Sequence, residues 1–190
     1  MTCDKFLLSC TALLGLCLSL APAVVAKEGA SIPFHLQQKS PGQRIAPAEF
    51  SREVEGLLFS DSNAQRQKKK LAPLEPEAIL AKAARDHSQD MLKRNYLSHF
   101  SPEGKSVVDR VKKYQPKLQR SLGENLHTIS SAQGLVDPKA VATQMMDDWM
   151  HSASHRKNIL SKDYRYLGIA CASDGMRIFC TQVFGGAAAK

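Results

Sequence analysis

The C-terminal part of the chain constrains its fold most. Leu167-Gly168-Ile169-Ala170-Cys171 reads as a strand, Ser173-Asp174-Gly175 as a turn, and Met176 to Phe184 as a returning strand. Side chains alternate along a strand. Leu167, Ile169 and Cys171 therefore share one face of the first strand, and Ile178 and Cys180 share one face of the second. Helical patterns precede this hairpin. That order of elements specifies an α+β fold in layers rather than a parallel α/β sheet.

The helical segments are set by apolar spacing. Phe50, Val54, Leu57 and Leu58 predict a first helix running to about Lys69, and Leu71-Ala72-Pro73-Leu74 reads as a connector. A second helix follows, with Pro76 suited to its first turn. Its stripe is Leu80, Ala84, His87 and Met91, widened by Ile79 and Ala83. His87 thus falls on the core side, where a histidine with satisfied ring nitrogens is expected rather than a ligand. Ser106 starts a short helix reaching Tyr114, and Gly123 to Ile129 reads as a strand carrying Glu124. Asp137-Pro138 is a helix start, a side-chain cap followed by proline. Val141, Met145 and Trp149 then form a stripe flanked by Ala142, Met146 and Met150, which is ordinary core packing. Ser152 or Ser154 can cap one more helix, containing His155. Histidines four apart on a single helix make a metal pair. The serines between His151 and His155 predict a break there, so the two face different ways.

The N-terminus reads as an export signal. Lys5 precedes an apolar run from Phe6 to Leu20, broken by Ser9, Cys10, Thr11 and Gly15, and Val24-Val25-Ala26 offers small residues for cleavage. The run is short for a membrane span of about 20 apolar residues. Leu16 is a poor neighbour for lipid attachment at Cys17. The expected organisation is a signal peptide over 1–26, a flexible leader over 27–48 and one domain over 49–186. The expected location is periplasmic or extracellular, without a stable membrane span after cleavage. The net charge is +8, and cleavage removes one Asp and one Lys, leaving it unchanged. Such a surface suits a lipid head group or an anionic cell-envelope polymer. Export makes nucleic acid a poor partner, and Lys68-Lys69-Lys70 reads as a solvated helix end. The exported chain is expected to be a monomer. It keeps two cysteines, Cys171 and Cys180; one disulfide and two buried thiols are both compatible with the pattern.

Four short motifs carry the functional reading. They are Ser98-His99-Phe100-Ser101-Pro102-Glu103-Gly104, Gly123-Glu124-Asn125-Leu126, the run from Trp149 through Ser154-His155-Arg156-Lys157-Asn158 to Leu160, and Thr181-Gln182-Val183-Phe184-Gly185. Their order and spacing resemble the bacterial branch of the CAP superfamily, which includes cysteine-rich secretory proteins, venom allergens and plant pathogenesis-related proteins. The resemblance covers about residues 50–186. It implies a three-layer α-β-α sandwich of the CAP/SCP type. It also matches Asn63 and Arg66 to an Asn-x-x-Arg pattern near the end of the first helix. Asn63, Arg156 and Asn158 are expected to bond backbone groups.

In eukaryotic members of that family a cleft holds two His and two Glu. His99 and Glu124 match the first His and the first Glu. Ser152 stands in the place of the second Glu and Phe179 in that of the second His. His155 is the candidate replacement. Two imidazoles and a carboxylate form a suitable shell for a divalent cation such as Zn²⁺, so the expected metal ligands are His99, Glu124 and His155, with weak binding. The same three also suit a metal-free polar network. The loss of half the tetrad favours a non-enzymatic binding module. The alternative is a metal-dependent hydrolase acting on peptide or cell-wall substrates, in which Glu103 or Asp148 would supply the acid or base.

Overall fold

The structure is a computed structural model and describes residues 45–187. The expected signal peptide and the leader up to residue 44 lie outside the described residues. Among the described residues there are five helices, α1 (Pro47–Lys68), α2 (Ala78–Arg94), α3 (Val107–Lys112), α4 (Pro138–His151) and α5 (Ala153–Ile159). They enclose one sheet of four strands, β1 (Glu75–Pro76), β2 (Leu122–Ser130), β3 (Tyr164–Ser173) and β4 (Arg177–Gly186). The strand order is β1-β3-β4-β2; β1 runs parallel to β3, and the other pairs are antiparallel.

Alternation along the strands divides the core in two. Leu167, Ile169, Cys171, Ile178, Cys180 and Phe184 pack against α1, α4 and α5, with Phe50, Val54, Leu58, Met145, Trp149 and Ile159. Ala170 and Val183 point the other way, onto Leu80, Ala83 and Ala84 of α2 and Val111 of α3. The result is α+β, with helices on both faces of the sheet. Gly168 sits where α2 crosses β3. A Cβ there would lie 2.1 Å from the backbone nitrogen of Ala81, so only glycine lets the helix approach this closely.

Most element starts follow their sequence signals. Ser106 caps α3 in a reciprocal box with Asp109, and the Asp137 side chain accepts from the amides of Lys139 and Ala140 at the start of α4. The first helix begins at Pro47, ahead of the apolar spacing, because proline suits the first helical position. Pro76 departs from expectation. It belongs to β1 rather than to the first turn of α2, which begins at Ala78 after an extended Glu77. On this edge strand the missing proline N–H costs no ladder bond. The Glu77 amide donates to Leu167 O at 3.1 Å, extending the contact with β3.

Cys171 and Cys180 are direct cross-strand partners of β3 and β4 and form a disulfide, with Cα atoms 4.1 Å apart. Among the described residues no helix is long and apolar enough to cross a membrane.

Candidate functional site

Glu124 and Asn125 project from opposite faces of β2. The register pairs Glu124 with Val183 and Asn125 with Gln182, which places Glu124 on the α2/α3 side. There its side chain is 3% exposed. One carboxylate oxygen meets His99 Nδ1 at 2.8 Å, and the other accepts from Arg110 Nη2. Arg110 Nη1 also donates to the carbonyls of His99 (3.3 Å) and Lys105 (3.0 Å), which ties the His99 loop to α3. A carboxylate only accepts. His99 Nδ1 therefore carries a proton in this pair, and Nε2 lies on a ring whose side chain is 52% exposed.

Arg110 was missing from the sequence reading. Its signal was present: Val107, Arg110 and Val111 share the inward spacing of α3, and Arg110 is as buried as that position requires.

His155 stands on α5, beside the edge strand β2, near enough to His99 and His127 to feel both charges. Its backbone oxygen accepts from Asn125 Nδ2 at 3.2 Å, while its ring bonds neither Glu124 nor His99 among the described residues. Burial first, then the charges of His99 and His127, lower its pKa. The break expected before it is real: α4 stops at His151 and α5 restarts after an extended Ser152. The His151 ring bonds Asp147 O, its own helix, at 2.7 Å. Phe179 packs with Met91 and Leu126, so the place of the family's second histidine is apolar here. Among the described residues no three His, Cys, Asp or Glu are grouped to hold a metal ion. In this arrangement Arg110 brings positive charge to one of the Glu124 oxygens that a cation would use.

A second acid–imidazole contact also escaped the sequence reading. His127 Nε2 meets Asp148 Oδ2 at 2.9 Å on the α4 side of β2, with the ring edge-on to Trp149. Asp148, considered as a free acid, is engaged there. Ser98 and Ser101 are occupied by the loop's own groups: Ser98 Oγ accepts from the Phe100 amide, and Ser101 Oγ donates to Glu103.

The remaining motif residues hold the frame. Asn125 Nδ2 donates to Gln182 Oε1, Gln182 Nε2 to Ser62 Oγ, and Ser62 Oγ to Leu58 O, a buried polar line from β2 to α1. Asn158 Nδ2 bonds Asn125 Oδ1 and Glu124 O, and Trp149 Nε1 donates to Leu126 O. Asn63 exchanges two hydrogen bonds with the Leu74 backbone, as expected. Arg156 donates to Met150 O, also as expected. Arg66 donates to Ala72, Ile159 and Ser161 carbonyls, binding the connector to the end of α5. His87 is buried as expected, with Nε2 donating to Ser98 O at 2.8 Å, but its Nδ1 is buried with no hydrogen-bond partner, so only one of the two ring nitrogens is satisfied.

Residues 59–184 match the model of the cysteine-rich secretory protein family, CAP. The chain belongs to the CAP family. It is 37% identical over 130 residues to the uncharacterized protein YkwD of Bacillus subtilis, and 36% identical over 136 residues to the uncharacterized membrane protein YlbC of the same species. These matches take in 68% and 67% of this chain, but only 46% and 36% of those proteins. The chain therefore spans less than half of either relative. A crystal structure of an extracellular SCP-domain protein from Bacillus anthracis superposes with TM-score 0.59 at 26% identity, over 76% of this chain and 45% of that one. An outer surface protein of Borrelia burgdorferi superposes with TM-score 0.60 at 21% identity, over 76% and 98% of the two chains. These similarities account for the sandwich and the motif order.

Proposed function

We propose that this CAP domain is an exported binding module in which the half-exposed His99 ring, held by Glu124 and Arg110, contacts the ligand. Export is supported by the sequence signal at residues 1–26 and by the Bacillus anthracis relative, which is described as extracellular. The observation that carries the binding reading is the occupancy of Glu124. Both of its oxygens are used, by Arg110 and His99, and neither is left to act as a base or to complete a ligand set. A catalytic serine needs a base within hydrogen-bond reach; the serines beside His99 are turned to other partners.

One observation favours the metal-dependent hydrolase as a second reading. Metal-binding histidines commonly give their other N–H to a carboxylate, and His99 does so with Glu124. Zinc would then be held weakly at His99 Nε2, with Arg110 opposing it.

Calorimetry with Zn²⁺, together with turnover assays on peptide and cell-wall substrates, separates the two. The binding reading expects no turnover, and the same assays on the His99→Ala variant as on the native protein. Turnover that disappears in His99→Ala would establish the second reading instead; zinc heat lost in that variant without turnover would make the cation part of the binding module.

A further inference from the structure

The segment around His99 combines exposed apolar side chains with most of the chain's net positive charge. Residues 92–120 hold eight Lys or Arg against two Asp or Glu, which is six of the chain's eight net positive charges. Three of the five large apolar side chains exposed among the described residues also fall here: Leu97 at 51%, Phe100 at 57% and Val108 at 38%. The pieces are joined in space. Arg94 at the end of α2 pairs with Glu103 of the loop, and Arg110 of α3 holds the His99 carbonyl. A cavity of about 500 Å³ between α2, the loop and α3 is lined by five Lys or Arg, Lys93 and Lys105 among them, and by the carboxylates of Asp86, Asp90, Glu103 and Asp109 that pair with most of the others.

The ion pairs divide the charges into two groups. Arg94, Arg110, Lys113 and Arg120 are bound to carboxylates, and so hold the layer together. Lys93, Lys105, Lys112 and Lys117 are exposed and form no salt bridge among the described residues. Val108 and Lys112 are four apart on α3, hence on one side of it. Flexible lysines beside exposed Phe and Leu suit an interface with two properties, negative at its surface and apolar just below.

We infer that this face docks on an anionic lipid bilayer, with Phe100 and Leu97 entering the head-group boundary and Lys93, Lys105, Lys112 and Lys117 meeting lipid phosphates. Apolar side chains gain from burial in that boundary, and each nearby Lys adds electrostatic attraction. A soluble polyanion would answer the lysines but leave Phe100 and Leu97 in water, so the apolar pair selects the bilayer. The inference extends the binding-module reading and does not depend on what His99 contacts. It does place His99, between Leu97 and Phe100, at the membrane side of the domain.

The test replaces Phe100 by Trp in the full chain, so that emission reports this position wherever residues 1–26 lie. Trp149, the only native tryptophan, is fully buried and supplies a constant background. With phosphatidylglycerol vesicles the new emission should shift to the blue and be quenched by brominated lipid. The response should weaken about ten-fold or more when Lys105→Glu and Lys112→Glu are added. It should be absent with phosphatidylcholine vesicles. Tryptophan placed instead at Val136, an exposed apolar position far along the chain, should show no lipid quenching. No shift at position 100, equal quenching at both positions, or an equal blue shift with a soluble polyanion in place of vesicles would each overturn the inference. The vesicle assay is read with Phe100→Trp and the Lys105→Glu/Lys112→Glu pair, and the zinc and turnover assays with His99→Ala, so failure of either reading is visible without the other.

Discussion

Arg110 and Glu124 form a buried ion pair between α3 and β2, and the pair orients His99 through the other carboxylate oxygen. Removing one member of such a pair leaves a charge without a partner in a place water reaches poorly. Arg110→Ala should therefore lower stability by about 3–5 kcal/mol, read from urea unfolding midpoints. Adding Glu124→Gln to an Arg110→Met variant removes both charges and should recover much of that loss. A single Arg110→Ala variant as stable as the native protein would show that the pair is solvated and does not anchor the loop.

The pair has a neighbour with a pH signature. Burial, then the Arg110 charge, lower the His87 pKa below 6.5, opposed by Glu124, the Ser98 carbonyl and Asp90. His155 shifts in the same direction. A depressed histidine favours the neutral form in the fold. Its stabilisation is present above the unfolded value of 6.5 and is lost as pH falls from there through the folded value. Stability should thus decline on acidification from about pH 6.5, well before the carboxylates respond. At Asp86 burial alone would raise the pKa, but hydrogen bonds from Lys113 and Tyr114 outweigh it, so its loss comes below 3.8. His87→Gln keeps a donor for Ser98 O without the titration. Denaturant melts across this range should show a shallower decline for that variant, with His155→Asn removing a further part.

What was legible in the sequence was whatever local rules determine. Asp137-Pro138, the Ser106 box and the strand–turn–strand around Ser173-Asp174-Gly175 each contain their own geometry, and the motif order gave the sandwich. Pro76 misled because proline suits both a helix start and an edge strand; only pairing with β3, some ninety residues later, selects between them. His99 and Glu124 were legible through the motifs. Their partner Arg110 was not, because an arginine at an inward helical position is recognisable as buried only once a buried carboxylate is known to face it. For His155 the resemblance supplied a candidate, whereas its position beside His99 and His127 at the edge of β2 depends on the whole chain. The parity of β2 itself was readable, and it already implied that Glu124 and Asn125 serve different layers.

The Cys171–Cys180 bond closes a short loop within the core. In the chain-entropy model a loop of this length contributes about 2–3 kcal/mol by restricting the unfolded chain. Reduction under denaturing conditions and refolding with reductant present should give a folded protein less stable by that amount, with an unchanged far-UV spectrum. Failure to refold at all would mean that the bond, rather than the packing of α1 and α4 on the hairpin, determines the fold.

The free side of β2 is where an unprotected sheet would invite pairing with another chain. Here two of its carbonyls are taken by side chains, Glu124 O by Asn158 Nδ2 and Leu126 O by Trp149 Nε1. Asn158 also holds Asn125, so one side chain joins α5, the edge strand and the polar line to α1. Asn158→Ala leaves these acceptors without their donor and should cost about 1–3 kcal/mol. Trp149→Phe keeps a ring in the core but removes the N–H, and should act in the same direction at Leu126. Both variants should speed hydrogen exchange of β2 amides while leaving β3 protected, because β3 is flanked by strands on both sides. Equal loss of protection across β2 and β3 would instead mean that the substitutions loosen the whole sandwich, and that Asn158 and Trp149 act as core packing rather than as guards of the edge.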